Sequence, residues 1–242
     1  MIIKECDKMI EHTKQNRINN FIKGISIVGI YFILSFFKTM PLEILNINYE
    51  NLSIIVKELY SLFLELVMIM IVYITFKSEI KKAWTDLKQN HMKYFSETFK
   101  YYLLGLLLMF GSNLLINLLG GGISGNETAI RDQFKLAPIF TYISAVFLAP
   151  ILEESIFRLS FRGIFKNNLL FIITSGLVFG GLHLIAGIDM NLLFLYLISY
   201  CSFGIIFAYI FIKTNNIFVS IGFHLMHNGI LMTLQLLLYL FA

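Results

Sequence analysis

Long apolar runs broken by short polar clusters make up most of this chain. Seven stretches reach or approach the roughly 20 residues a helix needs to cross the hydrocarbon of a bilayer. They are approximately 21–38, 56–76, 101–120, 137–164, 169–187, 191–212 and 217–241. The pattern predicts an all-α fold, a polytopic transmembrane helix bundle of about seven spans. The second stretch is interrupted by Lys57, Glu58 and Glu65. Between Lys77 and Lys100, Ile80, Trp84, Leu87, Phe95 and Phe99 recur near helical spacing with lysines between them. That spacing predicts a helix lying on an anionic membrane surface, held by its apolar face and its charge. A plain connector with helical character fits the same residues. Gly120–Gly122 with Gly125 predicts a flexible outer loop, not a phosphate cradle, because no Lys-Ser/Thr step follows.

Composition sharpens the class. Hydrophobic residues are 57% of the 242 and charged residues only 14%, with a mean hydropathy of +0.76. These values exclude an ordinary soluble domain. With no repeat, low-complexity segment or Ser/Pro linker, one integrated membrane domain is expected. Within it, 1–136 would hold N-terminal transmembrane and interfacial helices, and 137–242 a core carrying the chemistry. Cys6 and Cys201 form no disulfide framework and read as free thiols. The richness in Ile, Asn, Lys and Phe points to an AT-rich bacterial genome and hence to a bacterial plasma membrane. The first span has a polar, basic start and no small-residue cleavage signature, so it reads as a retained anchor. With the N-terminus inside, fifteen of the 19 Lys and Arg residues fall on cytoplasmic segments, and only Lys38, Lys57, Arg131 and Lys135 fall outside. This bias predicts a cytoplasmic N-terminus and, with seven spans, an external C-terminus.

Six polar residues then stand where a membrane chain tolerates them least. Glu153, Glu154 and Arg158 interrupt 137–165, His183 lies in 171–185, and His224 and Asn228 lie in 217–242. An ionisable group in mid-bilayer costs roughly 2.5–3.5 kcal/mol on insertion-based scales, so such groups face a protein interior or a wet cavity. On a helix Glu154 and Arg158 are four apart and share a face, which predicts an ion pair. Glu153 points about 100° away. One carboxylate is thus neutralised while the other is left to project into a cavity, where a raised pKa would suit a general base. The bland alternative is a structural salt bridge with a spare acid. Phe179 shares a face with His183, and Gly180 and Gly181 let a neighbouring helix approach. Alone, His183 could equally be an interhelical hydrogen-bonder, and Phe179 reads as packing. His224 and Asn228 are four apart on one face; His227 is rotated off it and reads as structural. At 1.5 Å per residue, Glu153 and His183 lie ~20 and ~22 Å from the inner boundary, and His224 and Asn228 about 12 and 18 Å. Three helices therefore bring polar groups to nearly one level.

At these residues the chain resembles the CAAX prenyl endopeptidase and bacteriocin-processing (CPBP, or Abi) family of intramembrane proteases. The family pattern is Glu-Glu-x-x-x-Arg, Phe-x-x-x-His and His-x-x-x-Asn on successive helices. Here it stands as Glu153-Glu154…Arg158, Phe179…His183 and His224…Asn228, after the lead-in Ala149-Pro150-Ile151-Leu152. The resemblance covers about 137–241. Leu159 stands where many members have glycine, while a second Phe-Arg-Gly occurs at 161–163. The resemblance implies an endopeptidase in which Glu153 activates a water and His183 helps hold and deprotonate it. His224 and Asn228 would stabilise the oxyanion, while Glu154 and Arg158 brace the helix. It implies no cofactor; zinc on Glu153, His183 and His224 is the alternative, although the spacing is not a HExxH helix. The expected partners are the bilayer and a peptide or membrane-protein substrate, with no nucleic acid. Two competing readings are a non-catalytic scaffold or immunity protein, also found in the family, and a proton-coupled transporter. The first predicts eroded motifs and the second two related halves, and neither feature is present.

Overall fold

The structure, a computed structural model, describes the backbone of residues 2–241 and the side chains of residues 14–241. Cys6, Lys4 and Lys8 therefore lie outside the described side chains, while Cys201 is a buried free thiol. Among the described residues there is no strand, and the molecule is an all-α membrane bundle. Its helices are α1 (Ile2–Phe36), α2 (Met40–Ile44), α3 (Ile54–Thr75), α4 (Lys77–Leu118), α5 (Gly125–Leu136), α6 (Pro138–Ile164), α7 (Asn168–Leu182), α8 (Leu193–Thr214) and α9 (Ile217–Phe241). All seven apolar stretches fall on helices, the fifth ending at Leu182 and not at 187. Five of the described helices are long and apolar enough to cross a membrane, and α7 is a shorter apolar helix. Large apolar side chains such as Phe36, Leu107, Ile139, Phe194 and Leu238 remain exposed. Hydrocarbon would cover such a surface where water could not.

Helix starts follow local chemistry. Ser53, Ser124 and Asn167 each accept a hydrogen bond from a backbone N–H in the first turn of α3, α5 and α7, satisfying donors that have no intrahelical partner. Asn215, in the left-handed region at φ 49°, ends α8. Asn216, fully buried, then starts α9 by accepting from Phe218 N–H at 3.0 Å. Its amide also donates to Ala83 O and Asp86 Oδ2, both at 2.8 Å, which ties the α8–α9 turn to α4.

The helix expected over 77–100 and the loop expected at the outer glycines are both present, each with a different extent. Residues 77–100 are not a separate surface helix: they run unbroken into the next span as the 42-residue α4, about 63 Å long. No Gly or Pro interrupts the chain where its apolar pattern changes from one-sided to all-round. The outer segment after the glycines is not all loop, because 125–136 forms α5, with Phe134 fully buried against Val146 and Met232. The glycine loop is also held. Tyr196 donates to Gly122 O at 2.6 Å, and Gly125 N–H donates to Gly187 O at 2.7 Å.

The centre of the bundle packs α7 against α8 through small residues. A Cβ on Gly180 would stand 2.5–2.6 Å from Cys201, and one on Gly204 would stand 2.5 Å from Gly176 O. Gly181 has open space beside it, so only Gly180 serves the close approach expected of the pair. Gly180→Val should lower the thermal unfolding midpoint in detergent, at about 1–3 kcal/mol of overpacking, while Gly181→Ala should leave it unchanged. Equal midpoints for the two variants would contradict this contact.

Candidate active site

The site is built on α6, and α6 is not a regular α-helix. Ser144–Leu148 and Ser155–Ser160 are π-helical and flank the α-helical turn Ala149–Glu154 that carries both carboxylates. Single π turns inside α-helices occur often at functional sites. Pro150 supplies a physical reason for the first. Ala149 N–H reaches back to Ser144 O, so the next donor in that register would serve Ala145 O. That donor is Pro150, which has no N–H. Asn228 Nδ2 on α9 donates to Ala145 O at 2.8 Å instead. Asn228 of the last motif is thus tied to the backbone just before the Ala149-Pro150 lead-in.

Around Glu154 the contacts are dense. Glu154 and Arg158 are both fully buried. Arg158 Nε donates to Glu154 Oε2 at 2.8 Å and Nη2 to Oε1 at 3.2 Å. Arg158 Nη1 donates to the Ser175 hydroxyl, which donates on to Phe157 O at 2.7 Å. The expected intrahelical pair is present, with the guanidinium lying 5.4 Å from the Phe179 ring centroid. Glu154 also has a partner that spacing did not reveal: His224 Nδ1, 3.1 Å from its Oε1. A carboxylate only accepts here, so Nδ1 carries the hydrogen and Nε2 is the free ring nitrogen. Nε2 faces Glu153 Oε2 at 3.7 Å.

The two adjacent acids therefore differ in kind. Glu154 is committed to Arg158 and His224, whereas the Glu153 side chain is 21% exposed. The depth count expected these polar groups at nearly one level, and the structure brings the His224 and Glu153 side chains within 3.7 Å of each other. Glu65 on α3, read in the sequence only as an intruder, is close enough to Glu153 for their charges to interact. It accepts from Ser144 Oγ at 2.7 Å. No motif marks it, and only the helix packing reveals it.

His183 follows the last residue of α7. Its Nδ1 lies 2.9 Å from Phe179 O, and a carbonyl can only accept, so this nitrogen is also the protonated one. Nε2 is left with a free lone pair. The ring packs on Phe179 at 4.9 Å between centroids and stacks with Tyr200 at 5.8 Å. Phe179 in turn meets His224 edge-on at 5.7 Å, so one aromatic ring separates the two imidazoles. His227 is buried with its centroid 4.2 Å from that of Phe203, a packing role as its rotation predicted. Among the described residues no three His, Cys, Asp or Glu side chains stand close enough to hold a metal ion. Glu153, His183 and His224 as placed do not form a ligand set.

Comparison with known proteins agrees with the fold and motifs on the class. Residues 135–230 match the model of the Rce1-like family, "Type II CAAX prenyl endopeptidase Rce1-like", so the resemblance carried by the three motifs is borne out for that segment. A protein of Bacillus subtilis (strain 168) named "Putative membrane peptidase YdiL" is 34% identical over 119 residues. That alignment takes in 48% of this chain and 45% of the relative, so just under half of each is matched. No solved structure matches the chain.

Proposed function

We propose that this protein is an intramembrane endopeptidase that hydrolyses a peptide bond of a membrane-associated protein or peptide with a water activated by Glu153. The observation that carries the reading is the unequal fate of the two acids. One is sealed and neutralised; the other is open, uncommitted and faces an imidazole nitrogen. Glu153 takes the proton of the water, and His183, with Nε2 free, helps hold and deprotonate it. With a proton on Nε2 as well, a state that the Glu154 carboxylate against Nδ1–H favours, His224 donates to the carbonyl, and together with the second amide hydrogen of Asn228 it stabilises the oxyanion. Glu154 does more than brace the helix, because it fixes the tautomer and ring plane of His224. Its charge also keeps the Arg158 guanidinium from standing alone in the interior. The matched family model and the peptidase name of the B. subtilis relative support the same reaction class.

To test this, the full chain is reconstituted in liposomes and incubated with a solubilised bacterial membrane fraction, and new peptide termini are read by mass spectrometry. Termini within or beside apolar segments are expected from the wild type, and none from protein carrying His224→Ala. Identical termini in both would favour the scaffold reading.

We further propose that the membrane is a bacterial plasma membrane; the lysine bias supports an orientation with the N-terminus in the cytoplasm, residues 77–100 inside and 120–136 outside. In a background with Cys6 and Cys201 replaced by serine, Lys88→Cys and Ala129→Cys should label from opposite sides of intact cells. Labelling of both from one side would overturn that orientation. Asn228→Ala should lower stability by about 1 kcal/mol, the cost of unpairing a part-buried carbonyl, and should also cut activity by about 10²–10³-fold through the lost oxyanion donor. Wild-type unfolding of Asn228→Ala in detergent would show that Ala145 O needs no partner.

A further inference from the structure

His183 stands just beyond the end of α7, at the start of the turn that leads to Gly187. One face of the imidazole rests on Phe179 from its own helix. Tyr200 of α8 also stacks on the ring, nearly parallel to it at 25°. The Tyr200 hydroxyl is itself held, 2.5 Å from the hydroxyl of Ser124. Ser124 is 2% exposed and is the residue that caps α5, accepting from Glu127 N–H at 3.2 Å. The adjoining Gly125 is bonded to Gly187, four residues beyond His183. The start of α5 is thus fastened to both sides of the histidine: to the turn that follows it and to the ring that stacks on it. Ser124 lies outside the segment matched by the family model, which begins at residue 135.

We propose that Tyr200 is a positioning residue for His183, anchored by Ser124, so that docking of α5 sets the orientation of that imidazole. The proposal rests on the reading of His183 as a catalytic base only for its consequence; the geometry it asserts is measurable without turnover. With the ring held by its contacts with Phe179 and Tyr200, Nδ1–H stays on Phe179 O and Nε2 keeps its lone pair. Without the Ser124–Tyr200 bond, Tyr200 is free to tilt, and the imidazole gains rotamers in which neither nitrogen meets the carbonyl. A catalytic group displaced by ~1 Å can cost on the order of 10²-fold in rate, so the small hydroxyl pair has leverage over the chemistry.

The test is ¹⁵N NMR of the full chain, labelled at histidine and held in lipid nanodiscs, with the His183 signals assigned by His183→Gln. Wild type should show a single Nδ1–H tautomer for His183. Tyr200→Phe and Ser124→Ala should each add a second, Nε2–H population. The double variant should look like either single one, because the two hydroxyls act as one unit. Ser124→Thr, which retains hydroxyl and cap, should restore the single tautomer. The His224 and His227 signals, unchanged throughout, report that the bundle remains folded. A single His183 tautomer in Tyr200→Phe, with those signals intact, overturns the proposal. So would additive effects of the two substitutions. Loss of the endopeptidase reading by the cleavage assays would leave this result standing, and the reverse holds equally.

Discussion

Glu154→Gln and Arg158→Ala should each sharply reduce the amount of folded protein in the membrane. Both side chains are fully buried, and every polar atom of the pair is engaged: carboxylate with guanidinium and imidazole, guanidinium also with Ser175. Removing one partner leaves the other as an uncompensated charge, at around 3–5 kcal/mol. A fold whose total stability is of the order of 5–15 kcal/mol cannot absorb that easily. Replacing both with neutral residues of matched volume should recover much of the protein level, since no buried charge remains. It should not recover cleavage, because His224 Nδ1 would then lack its carboxylate and its free nitrogen would no longer be aimed at Glu153. Immunoblots of membranes and thermal unfolding in detergent measure the first effect, and cleavage of the peptides found in the liposome assay measures the second. Normal accumulation of both single variants would show that the pair does not carry the bundle. Full activity in the neutral double variant would remove Glu154 from the support of His224.

What the sequence reveals of this molecule depends on how far apart the interacting residues lie. The Glu154–Arg158 pair is legible because spacing of four on a helix dictates it. The Glu154–His224 bond joins residues 70 apart, and the Glu65–Ser144 bond joins residues 79 apart, so neither has a local signature. The apolar runs locate the helices because lipid and core demand the same residues. For that reason they cannot say which face meets which neighbour. Helix α5 is polar enough to read as loop, although Ser124 followed three residues later by Glu127 is the pattern of a capping box and could have located its start. The join inside α4 is hidden in the opposite way: the pattern changes there while the backbone continues. Pro150 was visible as part of a motif, but its structural effect depends on Asn228 from a distant helix.

The central claim concerns Glu153, and its substitution should have the largest effect on activity. Glu153→Gln is nearly isosteric and keeps hydrogen-bonding capacity. The side chain is partly exposed and makes no buried ion pair with Arg158, so insertion and accumulation should be as in the wild type. An amide cannot take a proton from water, so cleavage should fall by the roughly 10²–10⁴-fold that loss of a general base costs. The deciding measurement is the rate of cleavage by purified wild type and Glu153→Gln in liposomes, on a peptide from the termini assay, with and without a zinc chelator. The account predicts a chelator-resistant wild type and a folded, nearly inactive variant. Wild-type turnover by Glu153→Gln would contradict it, and chelator inactivation reversed by zinc would replace the glutamate-activated water with a metal-bound one.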